Sequence, residues 1–228
     1  MIPGLSIEPR KERHLGRWVA LFLVACALVG CGYFAYQWYM KGEPLPVPIA
    51  AATADPRVDE TEVSPKMVEA YKVPAQNPRY ISIPGLNVTN VRVLEVGVTK
   101  DNLLDVPKNI NDAAWYKKSA TPGTGYGAVL VDAHNGGIST NGVFANLDQL
   151  EIDEEITIER GDGKTFKYRV VENQTVPLDQ VNESGMKKMM QSAQPDKEGL
   201  NLITCAGKWV PRIQQFDERI MVRAVSVE

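Results

Sequence analysis

One cysteine, one histidine and one arginine invite a chemical reading. Cys205 ends the apolar run Leu200–Thr204, His134 ends the run that starts at Ala128, and Arg219 opens the final run to Val227. A thiol becomes a good nucleophile only as thiolate, and a neighbouring imidazole can act as its base or as the counter-charge that lowers its pKa. A guanidinium keeps its charge and offers several donors, so it can hold a substrate carbonyl or the oxyanion that forms on attack. Each residue also has a plainer alternative. A small buried thiol is often inert packing, a histidine beside glycines is often a loop residue, and a single arginine is an ordinary surface cation. Taken alone, Cys205 divides about evenly between packing and chemistry.

The elements around these residues shift that balance. Trp18–Met40 is an uncharged run that, as a helix, would span roughly 34 Å, enough for a hydrocarbon core of about 30 Å. Trp18 lies at one end and Tyr36, Trp38 and Tyr39 at the other, where amphipathic aromatics favour the headgroup zones. Arg10, Lys11, Arg13 and Arg17 precede the run and only Lys41 closely follows it. The positive-inside asymmetry predicts a single-pass protein of the cell membrane, with a cytoplasmic N-terminus and everything after Lys41 outside. The length of the run favours an uncleaved anchor over a cleaved signal peptide. Leu28-Val29-Gly30-Cys31 resembles a lipobox, but the chain after it stays apolar, so Cys26 and Cys31 read as small side chains of the anchor. Cys205 and His134 are then the one cysteine and the one histidine of the exported part. An odd cysteine there points to intermolecular pairing or to a reactive thiol. The coincidence of the two at strand ends moves the reading towards chemistry.

This divides the chain into a tail (1–17), an anchor (18–40), an extracellular linker rich in Pro, Ala and acid (41–74) and a folded domain (75–228). Ser64-Pro65 fits a helix cap with proline in the first turn, predicting a short helix to Tyr71. Tyr80–Pro84, Val91–Val98, Ala128–His134, Glu155–Arg160, Thr165–Asn173, Leu200–Thr204 and Arg219–Val227 read as strands, with Gly161-Asp162-Gly163 a hairpin turn. Val143–Leu150 reads as a helix with one apolar face, and Asn109–Tyr116 as irregular. Met186, Met189 and Met190 stand at helical spacing in the long Pro177–Lys197 excursion. Seven or more short strands with one or two short helices give an all-β barrel or open sandwich. The mild net charge of −3 with scattered Lys and Arg gives no sign of the concentrated basic face that nucleic acid requires, so no nucleic-acid partner is expected. No metal is expected either, because zinc wants several Cys or His at set spacing and the Glu151–Glu155 run reads as a solvated face.

Leu202-Ile203-Thr204-Cys205, followed fourteen positions later by Arg219, resembles the Leu-x-Thr-Cys…Arg signature of sortases, which are membrane-anchored cysteine transpeptidases with an eight-stranded β-barrel. Val129–His134 is similar to the family's histidine strand, Gly142–Leu150 to its Val-Phe…Leu…Leu segment, and Ile81–Pro84 to its opening strand. Ala133 stands where many members have Gly, and Asn135-Gly136-Gly137 and Ala206-Gly207 also depart from common patterns, which leaves class and substrate motif open. The resemblance implies an all-β sortase-like barrel with short helices behind one transmembrane helix. It makes Cys205 the nucleophile, His134 the acid/base and Arg219 the oxyanion or substrate-positioning residue. Thr204, Trp209, Met186 and Met189 become candidate substrate contacts, the Pro177–Lys197 excursion covers the substrate, and no cofactor is needed. The implied substrates are C-terminal sorting-signal peptides of secreted proteins, and the acceptor is an amine of a cell-wall precursor or, in pilus assembly, of another pilin. A catalytically inactive barrel that binds surface peptides is the alternative from a different class.

Overall fold

The computed structural model describes residues 15–46, 58–100 and 103–227. The basic residues up to His14 and residues 47–57 of the linker lie outside those residues. Helix α1 (Leu15–Lys41) carries no acid in its first turn, and Trp18, Phe22 and Leu28 stand exposed along it. Gly16–Lys41 is long and apolar enough to cross a membrane, so α1 fits a membrane anchor. Helix α2 (Pro65–Ala70) starts as the Ser64-Pro65 pair predicts, with the Ser64 hydroxyl accepting from the Met67 N–H.

Eight strands close into one barrel in the order β1-β2-β3-β4-β7-β8-β6-β5. They are β1 (Pro78–Ile83), β2 (Val88–Val96), β3 (Ala113–Tyr116), β4 (Ala128–Ala133), β5 (Glu155–Arg160), β6 (Thr165–Pro177), β7 (Gly199–Val210) and β8 (Gln215–Ser226). The pairs β2/β3 and β4/β7 are parallel and the others antiparallel. Closure gives each barrel strand a neighbour on both sides, which removes the open sheet edges that could template another chain. Helices α3 (Leu178–Gln180) and α4 (Met186–Met189), joined by a π turn at Val181–Gly185, lie between β6 and β7.

Period-2 alternation divides the side chains between two apolar clusters. Val129, Val131, Leu200, Leu202, Ile220 and Val222 point into the barrel, which holds the main core. Their neighbours Leu130, Ile203 and Met221 point outward into a second cluster with Val176, Val181 and Met189, beneath α3 and α4. Fully burying a side chain of this size stabilises by about 1.5–3 kcal/mol, so the outer cluster is enough to seat the helical segment. Asn201 adds a polar fastening there: its amide donates to Met189 O (2.7 Å) and Gln191 O (2.9 Å).

Four expectations are corrected. Strand β3 lies where Asn109–Tyr116 read as irregular. Val143–Leu150 is not a helix; it forms only a 3₁₀ turn at Leu147–Gln149, while Phe144, Leu147 and Leu150 plug the barrel core. Strand β7 continues past Cys205 to Val210, and β8 begins at Gln215, so Cys205 and Arg219 sit inside a long hairpin rather than at strand ends. The register slips by one residue between Ala206 and Trp209, a bulge of the kind that increases local twist.

At the barrel end where β4 and β7 start, a buried carboxylate gathers a loop. Glu198 accepts from Gly123 N (2.9 Å), Gly125 N (2.8 Å), the Thr124 hydroxyl (3.1 Å) and the Tyr168 hydroxyl. Gly199 N donates to Gly127 O (2.8 Å) beside it.

Candidate active site

At the opposite end of β4 and β7, a groove of about 920 Å³ runs over the outer face of the barrel. Cys205, His134, Arg219 and Asp132 all line it. Cys205 and Arg219 are direct partners across the antiparallel β7/β8 pair. The parallel β4/β7 register pairs Asp132 with Ile203, and continuing it by two residues brings His134 alongside Cys205. Thr204 Oγ1 donates to Ala133 O (2.7 Å), which ties the two strands together one residue below.

The histidine is held on both sides. Its Nε2–H donates to Pro107 O (2.7 Å). A carbonyl oxygen only accepts, so the proton must be on Nε2 and Nδ1 is left as the basic nitrogen of the neutral ring. The His134 carbonyl accepts from Phe144 N (3.0 Å), and Gly142 lies so close that a Cβ there would be 2.1 Å from His134 O. Only glycine fits the return of this loop under the histidine. The segment Val58–Thr61 supports the Pro107 side: Asp59 N donates to Lys108 O (2.9 Å), and Asn109 Nδ2 donates to Thr61 O (2.9 Å). The Glu60 carboxylate accepts from Ser139 and from Ile138 N in the loop after His134, and the Ser139 bonds pull its pKa below the usual range.

Arg219 is tethered rather than extended. Nη1 donates to Phe216 O (2.9 Å) and Glu218 O (2.8 Å), and Nη2 donates to Gln215 Oε1 (3.1 Å). A guanidinium fixed this way presents its charge to the groove with little conformational entropy left to lose. Asp132 retains a small exposed face in the groove, but protein packs closely around it. Burial pushes its carboxyl up to about 7, against the opposing pull of Arg219 and of the Ala133 N–H.

Of the candidate substrate contacts, Trp209 and Met186 line the groove, and Trp209 packs edge-to-face on Phe216 (5.4 Å between centroids). Met189 is fully buried in the outer cluster, and Met190, four residues beyond Met186, lines the groove with it. Thr204 is 1% exposed and faces the barrel interior, because alternation sets it on the other face of β7 from Cys205, so its side chain makes no groove contact. Reading the sequence missed Pro107, Gln215 and Asn201. The first acts through a backbone carbonyl that no residue type announces. Asn201, a polar residue inside the apolar run Leu200–Thr204, did carry a signal.

The arrangement is a thiol, an imidazole and a guanidinium on one groove floor with largely apolar walls, suited to acyl transfer on an extended peptide. The model of the Sortase domain family matches residues 81–227. The chain belongs to the sortase family. Sortases are cysteine transpeptidases that act on sorting-signal peptides with amine acceptors, and at that level this chain is a sortase transpeptidase. Among solved structures it is similar to sortase C-1 from Actinomyces oris (19% identity over 79% of this chain and 90% of that one, TM-score 0.51), which shows a shared fold. It is also similar to a lid mutant of sortase A from Corynebacterium diphtheriae (24% identity, 70% and 74% covered, TM-score 0.49). A third is the sortase D5 transpeptidase of Clostridium perfringens (22% identity, 72% and 86% covered, TM-score 0.47). A search of curated protein sequences finds no match.

Proposed function

We propose that this sortase cleaves a C-terminal sorting signal on secreted proteins and joins the new carboxyl end to an amine of a cell-wall precursor. The Cys205 sulfur attacks the scissile carbonyl, its proton passing to His134 Nδ1. A tetrahedral oxyanion forms beside the Arg219 guanidinium, the C–N bond breaks, and His134 returns the proton to the leaving amine. The acyl group is then held as a thioester on Cys205. The acceptor amine attacks that thioester, His134 takes the amine proton, and as the C–S bond breaks His134 passes that proton to the Cys205 sulfur, releasing the joined product and restoring the thiol. The observation that carries this reading is the single groove lined by Cys205, His134 and Arg219, with Nε2 of the histidine committed to Pro107 O so that Nδ1 is the nitrogen left to move protons.

A screen of sorting-signal peptides with amine acceptors tests it. Cys205→Ala is expected to lower cleavage by roughly a thousand-fold or more. Mass spectrometry of the wild type during turnover should detect an acyl adduct on the peptide that contains Cys205. Undiminished transfer by Cys205→Ala would sink the assignment.

A further inference from the structure

The groove is joined to the anchor. Helix α1 ends on Gly42, whose N–H donates to Trp38 O (2.9 Å) and whose φ of +68° suits glycine. The tip of the β7–β8 hairpin sits on this helix end. Arg212 N donates to Tyr39 O (3.2 Å), and Lys208 Nζ pairs with Glu43 Oε1 (2.8 Å). Gly42 lies against the hairpin backbone so closely that a Cβ would be 2.5 Å from Trp209 O. The same hairpin supplies Trp209, Ile213, Gln214, Gln215 and Phe216 to the wall of the catalytic groove. Gln215 and Phe216 are in turn the residues that hold the Arg219 guanidinium.

Gly16–Lys41 as a helix is about 39 Å long, and the hydrocarbon core is about 30 Å thick, so its last residues project into the headgroup layer. Trp38 and Tyr39, aromatics with polar handles, suit that depth. A hairpin hydrogen-bonded to Tyr39 must lie at the same depth. Its tip residue Ile213 is 38% exposed, with Arg212 beside it, an apolar side chain and a cation that a headgroup surface accommodates together.

We propose that the β7–β8 hairpin is a membrane-seated wall of the groove, which rests in the headgroup layer of the bilayer that α1 spans and holds the groove mouth at its surface. A peptide held in the same membrane then meets the groove at high effective concentration only while the hairpin keeps its seat on the helix end. This rests on the reading of α1 as a spanning anchor and of Cys205 as the nucleophile.

Two arms test the proposal on the full chain in vesicles of phosphatidylcholine and phosphatidylglycerol. In the first, spin labels are placed through Ile213→Cys and, as a control at the far end of the barrel, Tyr126→Cys, with Cys26, Cys31 and Cys205 replaced by Ala. The Ile213 label should be accessible to oxygen and shielded from a water-soluble nickel complex, and the Tyr126 label the reverse. Equal aqueous exposure at both positions overturns the proposal. In the second, the native-cysteine chain cleaves one signal peptide from the screen above, either in water or extended by a transmembrane segment and reconstituted in the same vesicles. Gly42→Val forces the helix end off the hairpin and leaves the β7–β8 pairing that carries Gln215, Phe216 and Arg219 in place. It should keep soluble-peptide cleavage within about two-fold and lose about ten-fold on the tethered peptide, because a shared membrane raises effective concentration only where geometry permits engagement. An equal effect on both peptides overturns the proposal. If the wild type cleaves neither peptide, the sortase reading of Cys205 fails, and the label arm alone decides where the hairpin lies.

Discussion

Asp132 faces the groove from β4, with Arg219 the opposing charge that pulls its proton affinity down and burial the larger effect that pushes it up. His134, Cys205, Lys108 and Lys187 line the same groove from the other elements around it. The unfolded carboxyl titrates near 3.8 and the folded one at about 7. Below the first value both states are protonated, and the folded state's preference for the neutral acid is fully present. Between the two values the unfolded chain ionises while the folded chain holds its proton, so stability from this residue is lost as pH rises to the folded pKa. Asp132→Asn removes the titration. The variant's melting temperature relative to the wild type should be lowest near pH 4 and climb through pH 7, by about 2–4 °C for each kcal/mol of burial cost removed. A pH-independent difference would mean that the carboxyl is not buried against its charge. Losing the carboxylate as a partner for Arg219 acts in the opposite direction, but it is the smaller effect, since the net pKa is raised.

At the scale of elements, the helical segment is the groove wall with the most specific fastening. The Asn201 amide holds its end through Met189 O and Gln191 O, and Arg223 adds bonds to Gln191 O (3.2 Å) and Glu172 (3.1 Å). Asn201→Ala removes both amide bonds from a buried site, a loss on the order of 1–3 kcal/mol. Amide exchange in Leu178–Met190 should quicken far more than in the β5–β6 hairpin, and KM for a signal peptide should rise with little change in kcat. Uniform quickening across the barrel would show that Asn201 stabilises the whole fold instead. Such cross-element bonds explain where the sequence was legible and where it was not. The alternating apolar pattern of Glu155–Arg160 and Thr165–Asn173 around Gly161-Asp162-Gly163 announced a hairpin because strand period and turn chemistry are local. Strand β3 escaped because Ala113 and Ala114 have weak strand preference, and only pairing with β2 and β4 makes them a strand. The Phe144, Leu147 and Leu150 spacing correctly marked buried residues but not their backbone, since a loop plugging a barrel end can bury the same side chains as a helix. Cys205, His134 and Arg219 could be singled out in the sequence by residue type, while the register that brings them to one groove could not be read there.

At the scale of the molecule, the fold is one closed barrel with the Cys205 groove at one end and a buried acid at the other. Tyr168, fully buried in the core, has its phenol pKa raised by burial and then by Glu198, so it serves as a standing donor to that carboxylate. Tyr168→Phe leaves Glu198 one donor short and should cost about 1–3 kcal/mol in denaturant unfolding. Because closure couples every strand to two neighbours, the loss should appear as a single shifted transition, measured equally by fluorescence and circular dichroism. Two separated transitions would show instead that the barrel does not unfold as one unit. Glu198 and Gly127 stand level with each other through the Gly199–Gly127 bond, and equal lengths of chain run from them to Cys205 and His134. Each path crosses the sheet in strict alternation, so one inserted or deleted residue on either would turn its reactive side chain to the opposite face of the sheet. Under the proposed roles of Cys205 and His134, length changes in the surface loops should be tolerated but not in these two short paths, where residue count decides whether the two side chains meet at all.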